Sequence, residues 1–514
     1  MSDRLSDGSR RIVERIVVTG ELLLETPAHF GGDDQLGFVD MALVRDPLTG
    51  DALLPGASIA GALRSYLRTC RHGYSQAERK GNKTRTDDLA LLFGYQQDTD
   101  GSQSSLLTAD AYSHPRAIEL RDNVAINPVT RTADDKKKFN IELLAAGTVF
   151  DLRIELLVRE SAPAAGGRQA PDEQAARMVR AFAQALQGFE RGEIALGARK
   201  RRGFGQCRVA AWQVKRYDLR QPGALLAWLS GDRHGKATFD SKSQDSERSI
   251  VDLLPGAANP NLDDKRAFCT LTATFQLEGS LLIRSGGDQP NAPDMVHLKS
   301  LRGSGAVPVL SGSSLAGALR ARALRIAKTV GDPVQAEKVI ACLFGALETA
   351  SRIWVEESEI HDPIERVVTR LKIDRFTGGA YPNALFSQQP LYSGEETRTT
   401  IKLRVEDPND ADIGIILLLL KDLWTGDLAV GGEASVGRGR LCGKHAELHL
   451  TRPKSGQAEN MADIAAEGAD QSSPTSWSWV FRRSSTGGLN LPDDAARLQK
   501  FVNTFLNEVQ DEHA

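Results

Sequence analysis

Apolar and polar residues alternate along "RIVVTGELLLET" (15–26) and again along "AFCTLTATFQLEG" (267–279). A period near two, rich in β-branched residues, predicts a half-buried strand in each. Two later stretches, "TVFDLRIELLV" (148–158) and "TTIKLRVED" (399–407), predict a second strand pair. Leucines recur at helical spacing along "SIAGALRSYLR" and "SLAGALRARALRIAK", where Ser58 and Ser314 stand as candidate N-caps. Helices are also predicted over "PDEQAARMVRAFAQALQGF" (171–189) and "ADIGIILLLLKDLW" (411–424). The greasiest run, "IGIILLLL" (413–420), is too short to cross a bilayer and reads as a buried helix.

These elements come in matched pairs because the chain repeats itself. "LPGASIAGALR" (54–64) and "LSGSSLAGALR" (310–320) agree at eight of eleven positions. "LALLFG" (89–94) matches "IACLFG" (340–345), and "ALGARKRRGFG" (195–205) matches "AVGGEASVGRG" (429–439). "VDMALVRDPLTGDALLPG" (39–56) matches "PDMVHLKSLRGSGAVPVLSG" (293–312). The offset drifts through 256 (312 − 56), 251 (345 − 94) and 234 (431 − 197), as small loop insertions would make it. The chain is a tandem duplication.

Each copy reads strand–helix–strand twice, the split βαβ pattern of a ferredoxin-like α+β domain. The expected organisation is a first domain over 1–215, a linker over 216–264, a second domain over 265–450, and a mobile segment with a C-terminal helix over 451–514. Within the last part, 452–478 is polar and Ser/Gly/Ala-rich, and "DDAARLQKFVNTFLNEV" (493–509) has the pattern of a docking helix. The middle loops, "NVAINPVTRTADDKKKFN" (123–140) and "LKIDRFTGGAYPNALF" (371–386), read as hairpins carried away from the core.

Composition changes this picture little. The 514 residues are 41% hydrophobic and 25% charged, ordinary for a globular chain. The polar start "MSDRLSDGSRR" lacks a secretory apolar region. Five scattered cysteines without a CxxC pair fit reduced thiols in a cytosol, and "CRH" (70–72) lacks a second pair of metal ligands. A net charge of −3 argues against a protein coated in nucleic acid, so binding of that kind must come from clustered charge.

Such clusters exist. "GARKRRGFG" sets Arg199, Lys200, Arg201 and Arg202 in a turn framed by Gly203 and Gly205, where backbone N–H groups and cations make a phosphate cradle; the competing reading is a tight turn with solvated charge. In the second copy, Gly437 and Gly439 keep the frame, but the cations thin to Arg438 and Arg440. The two GxSxxGALR helices offer N-terminal N–H groups to a phosphate, with Arg64 and Arg320 two turns on; the plain alternative is a capped core helix. Lys136, Lys137, Lys138 and Arg375 on the middle loops would touch a backbone or be solvated. Acidic loops hold Asp33, Asp34 and Asp40 in one copy and Asp288 and Asp294 in the other; such carboxylates bind a divalent metal, move a proton, or solvate a turn. No Walker A loop, nucleophile elbow or His-based triad is present.

Taken together, "HFGGDDQLGFVDMALVRDPLTGDALLPGASIAGALR", "LKIDRFTGGA" and "GARKRRGFG" resemble the N-terminal signature, thumb and terminal glycine-rich loop of the RAMP proteins of the CRISPR Cas7 family, specifically type III backbone subunits, over most of 12–215 and 265–448. Two such units in one chain resemble the fused subunits of type III-D systems. The resemblance implies RRM-like cores with inserted thumb hairpins and lids. It implies guide-RNA binding, with cleavage of complementary target RNA by a loop Asp aided by a divalent metal, expected to be Mg2+. Asp40 and Asp294 match that Asp, and the metal candidates are Asp33, Asp34, Asp40, Asp288 and Asp294. The residues implied for RNA are Ser58, Arg64, Arg199 to Arg202, Gly203, Gly205, Ser314, Arg320, Arg375, Gly437, Arg438 and Gly439. Implied partners are guide RNA (crRNA), target RNA, Cas10 and other type III subunits (Cas7-, Cas5- and Cas11-like), in the cytoplasm and away from membranes.

The chain departs from the family pattern in two places. Ala60 and Ala316 stand where the family often has a Lys, and Ser300–Leu301 replaces Asp-Pro in the second copy. The expected function is therefore a target-RNA endoribonuclease subunit. The rivals are a non-catalytic guide-binding scaffold of the same complex and a guide-processing nuclease, which needs a general base such as His, whereas His29 has no clear match in the second copy.

Overall fold

Alternation in the sequence becomes one four-stranded antiparallel arrangement in each half. The computed structural model describes residues 11–32, 39–74, 87–97, 100–113, 117–127, 130, 132–160, 171–231, 248–254, 264–285, 292–303, 305–453, 475–484 and 488–510. The chain divides into two compact units: Met1–Ile118, Glu142–Ala198 and Gly205–Lys265 form the first; Glu119–Ile141, Arg199–Phe204 and Arg266–Ala514 form the second.

In the first unit the strands lie in the order Cys207–Asp218, Ile12–Leu24, Val149–Arg159, Leu106–Thr108, with antiparallel neighbours. Helices Gly56–His72 and Pro171–Glu190 make the two crossovers. Spatial order 4-1-3-2 with this connectivity is the ferredoxin-like fold. Its core joins alternate strand residues Ile16, Val18, Leu22, Phe150, Leu152 and Ile154 to Ile59, Leu63 and Leu67 of the first helix.

The second unit repeats the plan with Arg440–Arg452, Phe268–Glu278, Arg398–Glu406 and Ile353–Val355, crossed by helices Gly312–Val330 and Asp410–Trp424. Here the sheet continues. Thr475–Arg483 pairs antiparallel with Arg440–Arg452, and helix Ala495–Gln510 packs on Asp410–Trp424. That second helix explains the unbroken apolar run: Ile413, Ile415, Ile416, Leu419 and Leu420 are buried because the sheet covers one side and Phe501 and Phe505 reach the other. Of the segment 452–478 expected to be mobile, 454–474 lies outside the described residues, but its end is a strand. Trp477, Trp479 and Phe481 alternate there, the latter two buried.

The expected hairpins form, from Ile118–Ile126 with Ala133–Leu144 and from Val368–Ile373 with Ala380–Gln389. The serine caps do not. The N-caps are Pro55 and Ser311, without side-chain capping bonds, and Ser58 and Ser314 lie inside the first turn. In the first unit the cap comes from afar, because Asp110 Oδ1 accepts from the N–H of Gly56 at 2.7 Å.

Matching backbone hydrogen bonds align the copies independently of residue identity. Gly205 N–H donates to Pro27 O (2.8 Å) as Gly439 does to Ser280 O (2.7 Å), and Val44 N–H to Phe30 O (2.8 Å) as Leu298 does to Ile283 O (2.9 Å). Asp40 and Asp294 each precede Val44 and Leu298 by four residues, so both stand at the same point of the fold.

Candidate nucleic-acid interface

The loop of the first copy turns on left-handed residues. Arg199 has φ 54°, a 3-10 turn follows over Lys200–Arg202, and Gly203 has φ 89°. The four cations are half-buried within the second unit. Arg199 lies 4.6 Å over the Phe139 ring and donates to Asn123 Oδ1 at 3.4 Å; Arg201 lies 5.7 Å over Trp354. Among the described residues, neither Lys200 nor Arg202 has a carboxylate partner. Burial lowers the pKa of Lys200, and Arg201 adds to it; burial also lowers that of Arg202, reinforced by Arg320, Arg199 and Arg201. Cations held together against their own repulsion mark a place where an anion is favoured.

This cluster meets a helix N-terminus. A Cβ on Gly312, the first residue of Gly312–Val330, would strike the carbonyls of Arg202 and Val355, so the loop lies directly against that turn. Arg320 is exposed on the same helix and Ser314 half-buried. The structure places Ser58 and Arg64 in the first unit, and the first copy's loop cations in the second.

The second copy's loop has the same shape and a different charge. Glu433 (φ 61°) takes the place of Arg199, followed by a 3-10 turn over Ala434–Val436 and Gly437 (φ 85°). Arg438, expected to reach RNA, is 3% exposed and paired with the half-buried Glu433 carboxylate at 3.1 Å. Gly205 and Gly439 are also structural. Both have positive φ (71° and 79°), and a Cβ would overlap the carbonyl of Leu196 or Val430. Arg375 is exposed in the turn of its hairpin beside Phe376, while Lys137 and Lys138 pair with Asp134 and Asp122.

Asp40 is exposed on its loop. Glu142, which sequence reasoning missed, fixes that loop: its N–H donates to Met41 O (3.0 Å), and its Oε2 accepts from Leu43 N–H (3.1 Å) and Arg45 (3.5 Å). His29 is 2% exposed, with Nδ1 2.8 Å from Glu142 O, which removes it as an accessible base. Asp294 is exposed as well, but its Oδ2 accepts from both the N–H (2.7 Å) and Oγ (3.1 Å) of Ser387. The backbone N–H of Ser387, then its hydroxyl, holds the Asp294 carboxyl below its ordinary range. Asp33, Asp34 and Asp288 lie outside the described residues. Among those described, no group of three His, Cys, Asp or Glu side chains could hold a metal ion, Cys70 and His72 included. No described helix is long and apolar enough to cross a membrane.

The family model described as the RAMP superfamily matches residues 21–208 and 274–442. The chain is 29% identical over 152 residues to the "CRISPR system Cms endoribonuclease Csm3" of Streptococcus thermophilus, covering 27% of this chain and 67% of that one. It is 26% identical over 151 residues to the protein of the same description from Enterococcus italicus, covering 27% and 70%.

Proposed function

Matched in both copies over more than half its length, the chain belongs to the RAMP superfamily, and from that premise we propose that it is a double backbone subunit of a type III CRISPR effector complex which binds guide RNA and cuts the paired target RNA. The observation that carries this is the half-buried cluster of Arg199 to Arg202 with Arg320, lacking a carboxylate at Lys200 and Arg202 and set on a helix N-terminus. That arrangement suits a phosphodiester backbone, which supplies the missing negative charge without regard to base identity. The partners are guide RNA, target RNA, and the Cas10-, Cas7-, Cas5- and Cas11-like subunits of such a complex.

Cleavage is assigned first to Asp40. A 2′-oxygen attacks the adjacent phosphorus, the bond from phosphorus to the 5′-oxygen breaks, and a cyclic phosphate and a 5′-hydroxyl result. Asp40, on a loop fixed by Glu142, takes the proton that leaves the 2′-hydroxyl, and water returns one to the departing oxygen. Among the described residues no three His, Cys, Asp or Glu side chains gather as a metal site. A Mg2+ ion in this role would keep several waters and rest on one carboxylate and RNA phosphates. Chelation would then abolish cleavage, and cleavage that persists in excess chelator removes the metal from the proposal.

At the second copy a scaffold reading has its own support, because Ser387 already engages Asp294. Complexes assembled with Asp40→Ala or Asp294→Ala, assayed on labelled target, test both. Loss of one cut with Asp40→Ala and an unchanged pattern with Asp294→Ala is expected. If neither substitution alters any cut, the nuclease reading fails and the scaffold reading stands.

A further inference from the structure

The second copy holds a set of arginines that its loop motif does not contain. Glu433 Oε1 lies 3.3 Å from Arg284 and accepts from Gln388 at 2.6 Å; its Oε2 lies 3.1 Å from both Arg370 and Arg438. One carboxylate thus gathers three guanidinium groups, leaving two positive charges uncompensated. Arg438 is sealed inside, but the side chains of Arg284 and Arg370 are 54% and 33% exposed. Each spends one N–H on Glu433 and has no other hydrogen-bond partner among the described residues. A guanidinium carries five N–H donors, so most of theirs remain available in a fixed orientation.

Their placement adds direction. Arg284–Ser285, Met295–His297, Ala380–Gln389 and Val368–Ile373 form one small sheet in that order. Asp294 enters it bound to Ser387, which pairs across the sheet with Thr369, the neighbour of Arg370. The arginines come from the two outer strands of this sheet, and the register puts both on the face of Gln388, opposite the face that carries Ser387 and Asp294.

We propose that Arg284 and Arg370, oriented by Glu433, form a backbone-phosphate site for single-stranded RNA on the face of this sheet that carries Gln388, separate from the Arg199 to Arg202 cluster. The proposal rests on the RNA-binding reading above. Glu433 is a positioning residue here: it keeps two like charges close enough to act on one stretch of backbone.

The test is binding of the full chain to a fluorescent single-stranded RNA across a salt series, comparing wild type with Arg284→Gln/Arg370→Gln. The expected result is several-fold weaker binding at low salt and a shallower dependence of log K on log salt, by roughly 0.7 for each phosphate no longer neutralised. Should the double variant fail to fold, Arg284→Gln alone carries the test, since it changes a side chain at the exposed rim and removes one phosphate partner. An unchanged slope overturns the site while leaving RNA binding intact. An unchanged slope with failed assembly into the complex overturns it in favour of a protein contact. A wild-type chain that binds no RNA overturns the underlying reading and the site with it.

Discussion

Replacing Arg121 with Met should unfold the second unit at markedly lower denaturant. Arg121 donates to Glu119 Oε2 through Nε (2.9 Å) and Nη2 (2.7 Å), and to Glu357 through Nη1 (2.5 Å) and Nη2 (3.2 Å). The side chains of Arg121, Glu119 and Glu357 are 5%, 7% and 0% exposed, so water cannot replace a missing partner. Burial alone would weaken the charge on Arg121, but Glu357 and then Glu119 outweigh it and raise its pKa above the ordinary value. Removing one member of a buried pair costs about 3–5 kcal/mol when the other is stranded. The stranding is partial here: Glu357 keeps Arg302 at 3.1 Å, and Glu119 keeps Ser300 Oγ (3.0 Å) and Leu301 N–H (2.6 Å). A loss of about 3 kcal/mol follows, which at an m-value of about 2–3 kcal/mol/M moves a urea midpoint down by about 1 M or more. Met retains the apolar stem, so reduced packing contributes little. Glu357→Gln should cost less in the Arg121→Met background than in the wild type, because the Arg121–Glu357 pair is already gone, giving a measurable coupling. A single-variant loss below about 0.5 kcal/mol, with no coupling, would refute the picture of a dry network.

Two further outcomes follow from the same reasoning. His297 receives Ile283 N–H at Nδ1 (3.2 Å), lies 3.0 Å from Val309 O through Nε2, and is pushed down by burial to about 4. Between that value and the ordinary 6.5 only the unfolded chain takes up the proton, so stability should fall by about 3 kcal/mol as pH drops through that window and stay flat above it. His297→Leu should flatten the profile, read as thermal midpoint against pH; an unchanged profile assigns the dependence elsewhere. Lys200→Gln/Arg202→Gln should weaken RNA binding about equally across sequences and cut the salt slope by roughly 0.7 per phosphate left unneutralised, measured by anisotropy; sequence-selective weakening would refute a backbone cradle.

The fold was legible because its determinants are local. Strand alternation at Ile16, Val18 and Leu22 and the helical spacing of Ile59, Leu63 and Leu67 are one-dimensional patterns that the tertiary structure simply buries. The repeat reinforced them, since each weak match in one copy had a partner in the other. Helix starts failed for a physical reason: Asp110, distant in sequence, caps Gly56, and no local serine rule detects that. Glu142 was missed likewise, for it sits in a strand far along the chain from the Asp40 loop it holds. Trp477, Trp479 and Phe481 did carry a legible period of two, hidden by the polar composition just before them.

The loops show where charge counting along a sequence stops being sufficient. Arg199 and Glu433 occupy the same left-handed position; Arg199 meets Asn123 of its hairpin, and Glu433 meets both Gln388 and Arg370 of its own. In one copy the loop supplies the cation and the hairpin a neutral amide; in the other the hairpin supplies the cation and the loop an acid. Gly31 and Arg284 differ in the same sense, since Gly31 bridges Leu43 as Arg284 pairs with His297. Read along the chain, the second loop has lost its basic character. Read in space, positive charge has moved from the loop to the strands around it, and the acid left behind is what holds it in place. On the proposed reading of the two sites, a motif fades along the sequence while the property assigned to it is kept in space.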